Sequence, residues 1–151
     1  MKKMLILVGL LFVAINVFAK DNKFACPLHC SYRVAMQYGN QWHPLTEKDF
    51  FHKGIDLVAD SGTDIFPAAD GHVTEKGFNI AEGKYVIIEH DNGYKTIYTH
   101  LKDFYCESGQ TVSTKDRIAC LGNTGVSTGP HLHFAIYKDG EVLNPENLIE
   151  L

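Results

Sequence analysis

Two histidines that lie two residues apart mark the place in the chain where chemistry is most strongly indicated. His131 and His133 follow a glycine-rich loop and begin an alternating apolar run. Residues two apart on a β-strand point to the same face, so both imidazoles would face one place, about 7 Å apart along the strand. Histidine is the commonest metal ligand and the usual acid or base near neutral pH. The pair could bind one metal together, or one histidine could bind it while the other transfers protons.

A histidine and a carboxylate stand close together upstream. His52 and Asp56 are four residues apart, and on extended chain this spacing places both side chains on one face. Gly54 between them leaves the backbone free to bend toward a ligand. Alone, the two would be interpreted as solvated polar residues. Together with a histidine from the later pair, they match the three-ligand zinc sites with an open position that are typical of catalysis.

The remaining histidines divide into one candidate for the site and several that fit structural or solvated roles. His100 ends the run 98–101 at the foot of a predicted strand, where it could act as a general base or as an electrostatic stabiliser. His90 precedes a turn and is interpreted as structural. His29 and His72 are expected to be solvated, and His43 is a minor candidate for the edge of the cleft. Tyr98 is expected in the core, although its hydroxyl could line the site.

The segments that must position these side chains carry strand signals. The run Asp91-Asn92-Gly93 is a strong hairpin signal between two alternating segments. Residues 20–51 are expected to be irregular, with a short strand or helical turn at 33–38 and a polar turn at 47–50. No long helix is indicated, so we expect an antiparallel all-β sheet or open barrel. Strands are predicted at 55–59, 65–68, 72–77, 84–89, 94–100, 117–121, 132–137 and 141–143.

The first nineteen residues predict export of the protein. Lys2 and Lys3 precede the apolar run 5–18, and Val17-Phe18-Ala19 is a plausible cleavage pattern. This is the pattern of a secretory signal peptide, cut after Ala19. An uncleaved anchor helix is the alternative, but the run of about 15 apolar residues is short of the roughly 20 that span a bilayer. We therefore expect a periplasmic or extracellular protein that has no membrane span after cleavage.

Composition and charge exclude several classes of protein. The chain has 151 residues, of which 45% are hydrophobic and 21% charged, as expected for one globular domain rather than a disordered chain. Removal of the two lysines in the signal leaves 12 basic and 18 acidic residues, a formal charge of −6. No basic patch is present, so we expect no nucleic-acid partner.

All four cysteines follow the predicted signal. An even number of cysteines in an exported chain favours disulfides. Cys26–Cys30 and Cys106–Cys120 are the expected pairs, since the members of each pair are close in sequence. A cysteine metal site is the rival interpretation, but the paired CxxC knuckles of a zinc ribbon are absent.

Three blocks of the sequence resemble one known family. The blocks are similar to the signature blocks of the LytM/lysostaphin-type zinc peptidases and occur in the same order. They are Phe51-His52-Lys53-Gly54-Ile55-Asp56, Tyr98-Thr99-His100-Leu101 and the run 122–134, which ends Gly129-Pro130-His131-Leu132-His133-Phe134. The resemblance covers roughly residues 38–148. It implies a LytM-type peptidase domain at 38–151, with a cleft that holds one zinc ion. Residues 20–37, with Cys26 and Cys30, form a preceding segment that the resemblance does not explain.

The resemblance also assigns roles to individual residues. His52, Asp56 and His133 would hold Zn²⁺, and His100 and His131 would flank the scissile carbonyl as catalytic residues. The chain departs from the family at Ala135, where many members have an acidic residue, and at Gln41, where arginine is usual.

The function implied is that of an exported zinc endopeptidase acting, as a monomer, on peptide cross-links of bacterial peptidoglycan. The alternative is a non-catalytic LytM-like module that binds or activates wall-lytic enzymes. Degenerate modules of that kind lack one or more site residues, whereas all five are present here. Which peptide bond is cut, and which of the two catalytic histidines is the base, are left open by the sequence.

Overall fold

The computed structural model describes residues 24–43 and 47–150. Within these ranges the chain forms fourteen strands, joined by turns and two short 3-10 segments at Asp91–Gly93 and Pro145–Asn147. The strands are β1 Phe24–Ala25, β2 Arg33–Met36, β3 Gly39–His43, β4 Lys48–His52, β5 Ile55–Val58, β6 Asp64–Ile65, β7 Gly71–Asn79, β8 Gly83–Glu89, β9 Tyr94–Phe104, β10 Thr111–Val112, β11 Ala119–Leu121, β12 Leu132–Lys138, β13 Glu141–Leu143 and β14 Ile149–Glu150.

The predicted antiparallel all-β architecture is confirmed. The main sheet has the strand order β10-β7-β8-β9-β12-β5-β2, with β13 beside β12 and with β11 pairing both β6 and β9. All pairings in this sheet are antiparallel. The hairpin signal at 91–93 is also confirmed, because it joins β8 to β9 and its Asn92 and Gly93 both have a positive φ.

Alternation along the strands separates the core from the opposite face of the sheet. On β12, Leu132, Phe134 and Ile136 are fully buried, and the Phe134 ring lies 5.3 Å from the ring of Tyr98 on β9. Tyr98 is in the core, as expected, where its hydroxyl accepts a hydrogen bond from the Ala68 N–H. The residues between these core positions therefore face the other side, where the candidate site lies.

Residues 33–36 form the strand β2, which is one of the two structures expected at 33–38. The expectation of irregular structure with a polar turn at 47–50 is wrong, because β3 and β4 pair as a separate two-stranded hairpin that includes most of that turn. Lys48, Asp49 and Phe51 on this hairpin are exposed. The strand signal is weak because a ribbon with so little burial does not require alternating apolar residues.

The predicted disulfides are not formed. All four cysteines are free, with Cys106 and Cys120 buried. The register of β9 and β11 explains why Cys106 and Cys120 do not form a disulfide. Cys120 lies opposite Asp103, and the Tyr105 N–H donates to the Ile118 carbonyl. Cys106, three residues after Asp103, therefore lies three ladder positions away from Cys120. Cysteines so far apart cannot be bridged without movement of the backbone.

The two ends of the described chain lie side by side. β1 pairs in parallel with β14, and Phe24 is buried with its ring against those of His90 and Tyr94. The predicted signal peptide at 1–19 lies outside the described residues. No helix in the described ranges is long and apolar enough to cross a membrane.

His90 is held by contacts with Asp70, Thr96 and the buried Phe24. Its Nδ1 donates to the Asp70 carbonyl over 2.8 Å, and its Nε2 lies 2.7 Å from the Thr96 hydroxyl. Burial lowers the pKa of His90 below its ordinary value of 6.5, and this effect outweighs the opposing hydrogen bond to Asp70. The interpretation of His90 as a structural residue agrees with these contacts.

We expect the free energy of unfolding to decrease as the pH falls below about 6.5. In that range the unfolded chain binds a proton at His90 before the folded chain does, so protonation favours the unfolded state. His90→Gln should reduce this pH dependence, as measured by urea unfolding between pH 7.5 and 5. The matched control is His72→Gln, which replaces an exposed histidine. Identical slopes for the wild type and His90→Gln would contradict the assignment.

Candidate metal centre

One row of residues across three neighbouring strands forms the floor of the candidate site. His133 on β12 lies opposite Asp56 on β5 and opposite Thr99 on β9. Directly opposed residues of antiparallel strands point to the same face, so the three side chains stand in line on the face away from the core. The Thr99 hydroxyl is buried and has no hydrogen-bond partner in the described part of the chain. The row therefore places polar groups side by side on a buried floor.

Three ligand atoms converge at one end of this row. His133 Nδ1 lies 2.9 Å from both Asp56 Oδ1 and His52 Nε2. His52 Nε2 lies 3.2 Å from Asp56 Oδ1. A tetrahedral zinc ion with bonds of about 2.0–2.1 Å places its ligand atoms roughly 3.3 Å apart. The separations fit this geometry within a few tenths of an ångström. The cluster His52, Asp56 and His133 is therefore suited to hold one such ion.

A backbone carbonyl sets the orientation of His52. This residue ends β4, outside the main sheet, and its Nδ1 donates to the Gln37 carbonyl over 2.8 Å. A carbonyl oxygen can only accept, so Nδ1 carries a proton and Nε2 is the ring nitrogen that faces Asp56 and His133. Such partners of the second ring nitrogen are characteristic of histidines that bind metals.

The charges within the cluster suit a cation. Burial by itself would raise the pKa of Asp56, but hydrogen bonds from His133 and His52 outweigh it and hold that pKa far below the ordinary value. Burial by itself would lower the pKa of His52, but the hydrogen bonds to Asp56 and to the Gln37 carbonyl, together with the negative charge of Asp56, outweigh it, and the net pKa is raised. Asp56 is therefore a carboxylate, and it favours positive charge at the place where the three ligand atoms meet.

Gly54 leaves the space that the His133 ring occupies. A Cβ at this position would lie 2.4 Å from the Phe134 carbonyl oxygen and within 2.8–3.0 Å of the ring atoms of His133. Only glycine permits this approach of the β4–β5 connection to β12. The sequence predicted that Gly54 lets the backbone bend. The structure adds that the missing side chain of Gly54 makes room for the ring of His133.

His100 stands where β9 changes its partner strand. β9 pairs with β12 as far as Thr99 and with β11 from Leu101, and an extra residue of β9 bulges out opposite Tyr85 on β8. His100 has φ of 62°, which is uncommon for a residue with a side chain. Its Nδ1 donates to the Thr124 carbonyl over 2.8 Å, so Nε2 is the free ring nitrogen. The bend thus turns His100 toward the site at the cost of local strain.

His131 is oriented from within its own loop. Its Nδ1 donates to the Gly129 carbonyl over 2.9 Å and lies 3.1 Å from the Ser127 hydroxyl. The free Nε2 lies 3.9 Å from Asp56 Oδ1, and the ring centroid lies 4.6 Å from that of His100. Both histidines therefore present a free Nε2 beside the cluster. Burial is the main cause that lowers the pKa of His100, which favours its neutral form at pH 7.

The loop that carries His131 rests on the turn between β7 and β8. The Val126 N–H donates to the Ala81 carbonyl over 2.9 Å, and the Thr124 hydroxyl donates to the Leu101 carbonyl over 2.7 Å. A Cβ at Gly83 or at Gly125 would clash with the opposite segment. The sequence did not predict this contact between the loop 122–131 and the β7–β8 turn, since Gly83 and Gly125 each indicate only a turn.

The structure brings together all five residues that the sequence singled out as site candidates: His52, Asp56, His100, His131 and His133. The histidines set apart as structural or solvated lie elsewhere: His29 stacks on Phe66 with ring centroids 4.1 Å apart, and His72 is exposed. The side chain of His43 is outside the described part of the structure. Sequence reasoning missed the carbonyls of Gln37, Thr124 and Gly129, because any residue type can supply a backbone acceptor.

Comparison with known proteins gives one consistent result. The pattern of peptidase family M23 matches residues 50–145. An uncharacterized metalloprotease of Buchnera aphidicola is 39% identical over 145 residues, which cover 87% of this chain and 39% of that protein. The peptidoglycan DD-endopeptidase ShyC of Vibrio cholerae is 41% identical over 106 residues, which cover 70% of this chain and 24% of that protein.

A solved structure agrees with these relatives. A zinc-containing peptidase from Vibrio cholerae superposes with a TM-score of 0.76 at 30% identity, covering 83% of this chain and 40% of the other. The chain spans about a quarter to two fifths of the length of the relatives it matches in sequence. The similarity therefore concerns the domain that carries the site.

We expect Gly54→Ala to weaken zinc binding and to destabilise the domain. The added methyl group would overlap the Phe134 carbonyl and push His133 away, at a cost of about 1–3 kcal/mol, the usual range for overpacking. Zinc affinity, measured by competition with a chelator, should fall at least about tenfold, as for losses of supporting contacts at other sites.

The matched control for this substitution is Gly129→Ala, because a Cβ there would meet no atom within 4 Å. It should keep the unfolding midpoint and the zinc affinity of the wild type. A Gly54→Ala variant with wild-type zinc affinity would show that the close approach to His133 is not needed.

Proposed function

Because the chain belongs to peptidase family M23, we propose that it is a zinc-dependent endopeptidase that hydrolyses peptide cross-links of bacterial cell-wall peptidoglycan. The observation that carries the proposal is the convergence of three ligand atoms and two free histidine nitrogens on one face of the sheet. Relatives with the printed names peptidoglycan DD-endopeptidase and DD-carboxypeptidase/endopeptidase support the choice of substrate. That substrate lies outside the cytoplasm, which supports an exported protein.

In this proposal His52 Nε2, Asp56 Oδ1 and His133 Nδ1 hold Zn²⁺. Two neutral imidazoles and one carboxylate, with no fourth protein ligand among the described residues, are the donor set of catalytic zinc sites. When bound, zinc supplies a water of lowered pKa and polarises the substrate carbonyl. The chain fixes its ligands in advance, since the Gln37 carbonyl holds His52 and the strand register holds Asp56 and His133.

His100 and His131 serve the proton transfers. Hydrolysis of a peptide bond needs an acceptor for the proton of the attacking water, a donor toward the oxyanion and a proton for the leaving amine. Each of these two histidines donates its Nδ1–H to a carbonyl and keeps Nε2 free on the side of the cluster. Each Nε2 can accept a proton and, once protonated, can donate it. The two histidines therefore provide the three functions between them.

The alternative of a non-catalytic module is disfavoured by the completeness of the site. A module that only binds a partner has no need for two histidines outside the metal cluster, oriented by backbone carbonyls and close to each other. Ring centroids 4.6 Å apart and a conformationally strained His100 indicate a precise arrangement of both.

The decisive experiment is digestion of isolated sacculi by the zinc-loaded protein. We expect released muropeptides that mass spectrometry identifies as products of cross-link cleavage, and we expect a chelator to abolish the release. A protein that holds zinc with one-to-one stoichiometry, yet releases nothing from any wall type, would favour the non-catalytic module.

The two histidines of the HxH pair should respond differently to substitution. His133→Ala removes a ligand, so we expect loss of both stoichiometric zinc and activity. His131→Ala should keep zinc but lower kcat by about 10²–10⁴-fold, the usual contribution of a general acid or base. Zinc content by mass spectrometry and rates on sacculi test this, with the exposed His72→Ala as the control. Loss of zinc in His131→Ala, or its retention in His133→Ala, would reverse the assignment.

A further inference from the structure

The side chain of Thr124 lies between two strands at the place where β9 bulges. Lys84 on β8 and Leu101 on β9 are ladder partners, beside the irregularity that leaves an extra residue on β9. The Thr124 hydroxyl accepts a hydrogen bond from the Lys84 N–H over 3.0 Å and donates one to the Leu101 carbonyl over 2.7 Å. The hydroxyl therefore bridges backbone groups of two facing strands where the bulge disturbs their regular pairing.

The backbone of the same threonine holds the ring of His100. The Thr124 carbonyl accepts the Nδ1–H of His100 over 2.8 Å. The backbone N–H of His100 donates to the Glu82 carbonyl over 2.9 Å, and the next residue, Leu101, accepts from the Thr124 hydroxyl. A φ of 62° in a residue with a side chain persists only where the surrounding contacts determine it. These three hydrogen bonds, two of them made by Thr124, are contacts of that kind.

Two glycines allow Thr124 to lie close to the β7–β8 turn. A Cβ at Gly83 would overlap both the hydroxyl oxygen and the carbonyl carbon of Thr124. A Cβ at Gly125 would overlap the backbone at Gly83. Backbone therefore contacts backbone on this side of the loop 122–131, which limits the movement of Thr124 relative to β8.

The bridge needs a side chain that both accepts and donates. The hydroxyls of threonine and serine do both, whereas valine has the shape of threonine without the hydroxyl. Valine at position 124 would leave the Lys84 N–H and the Leu101 carbonyl beside a methyl group. Because unpaired polar groups in a buried place are costly, the loop and the bulge would separate to let water or backbone pair with them. The carbonyl at position 124 would then move away from His100.

We propose that Thr124 is the positioning residue of His100. Its hydroxyl fixes the loop 122–131 to the bulge of β9, and its carbonyl holds the His100 ring with the proton on Nδ1 and with Nε2 free beside the metal cluster. His131 does not depend on this arrangement, because its Nδ1 donates to the Gly129 carbonyl. That the His100 Nε2 transfers a proton rests on the proposed function, whereas the tautomer and the orientation of the ring do not.

NMR spectra that correlate ring protons with ring nitrogens test this proposal, because they show which nitrogen of each histidine carries the proton. In the zinc-loaded full chain at pH 7.5 we expect His100 to carry it on Nδ1. Thr124→Val should give a mixture of both tautomers at His100, whereas His131 should keep its proton on Nδ1. Thr124→Ser should restore the wild-type signals, since serine keeps the hydroxyl. Thr111→Val, at an exposed threonine of β10, is the matched control.

Rates on a soluble cross-linked muropeptide report the same effect during turnover. In Thr124→Val we expect kcat to fall by up to about 10²-fold, the cost of misplacing a reacting group by about 1 Å. KM and the zinc content should stay at wild-type values, because Thr124 contacts neither the three ligands nor the bound peptide. Thr124→Ser should recover kcat, and Thr111→Val should not change it.

Several results would overturn the role of Thr124. These are a wild-type tautomer at His100 in folded Thr124→Val, a failure of Thr124→Ser to restore the signals, or equal changes at His131, which would indicate general disorder of the loop. If Thr124→Val does not fold, Thr124→Ala removes the same hydroxyl and is measured in the same way. A change of tautomer in a chain that cleaves no wall peptide would refute the proposed function alone. Cleavage with an unchanged tautomer in Thr124→Val would refute the positioning role alone.

Discussion

The register of β12 between β5 and β9 is the constraint on which the site depends. It sets His133 opposite Asp56 on one side and opposite Thr99 on the other. The same register places Leu132 and Phe134 in the core, so it fixes both the burial of these apolar side chains and the position of His133. A slip of one residue would send the core residues to the cleft and His133 into the core. The hydrophobic effect therefore maintains the geometry of a polar site.

Hydrogen bonds to backbone carbonyls then orient the imidazoles within this frame. His52, His100 and His131 each donate Nδ1–H to a carbonyl, and this leaves each Nε2 on the side where the site lies. A carbonyl cannot donate, so each bond fixes both the tautomer and the direction of the free lone pair. The rings need little reorganisation when a cation or a substrate arrives, which is the physical basis of preorganisation in polar sites.

The architecture also explains how the site is enclosed. The polar row lies on a covered floor, since Thr99 on β9 and Ala135 on β12, which share its face, are buried. The β3–β4 hairpin stands outside the main sheet and carries His52 to one side of that floor. The loop 122–131, resting on the β7–β8 turn, carries His131. Loops on a rigid sheet thus complete the site.

Most of the sheet and all of the candidate residues could be predicted from the sequence. The period-2 alternation of the strands from β5 onward reports which residues are buried, and Asn92 with Gly93 marks a hairpin because both adopt positive φ. His52, Asp56 and the HxH pair follow from the chemistry of residue types and from spacing on extended chain. The segment 39–52, which forms the β3–β4 hairpin, was less informative, because exposed ribbons do not require an apolar pattern.

The tertiary structure alone decided how the separate blocks meet. Periodicity gives the face of a side chain but not its partner across strands, so the 2.9 Å approach of His133 to Asp56 depends on long-range pairing. The same pairing keeps Cys106 and Cys120 apart, although their closeness in sequence predicted a bond. The glycine at position 54 was identified as flexible, whereas its contact with His133 appears only when β5 lies beside β12. The sequence by itself determined which residues can do the chemistry, because residue type and local period are encoded locally; the register of distant strands decided where they meet.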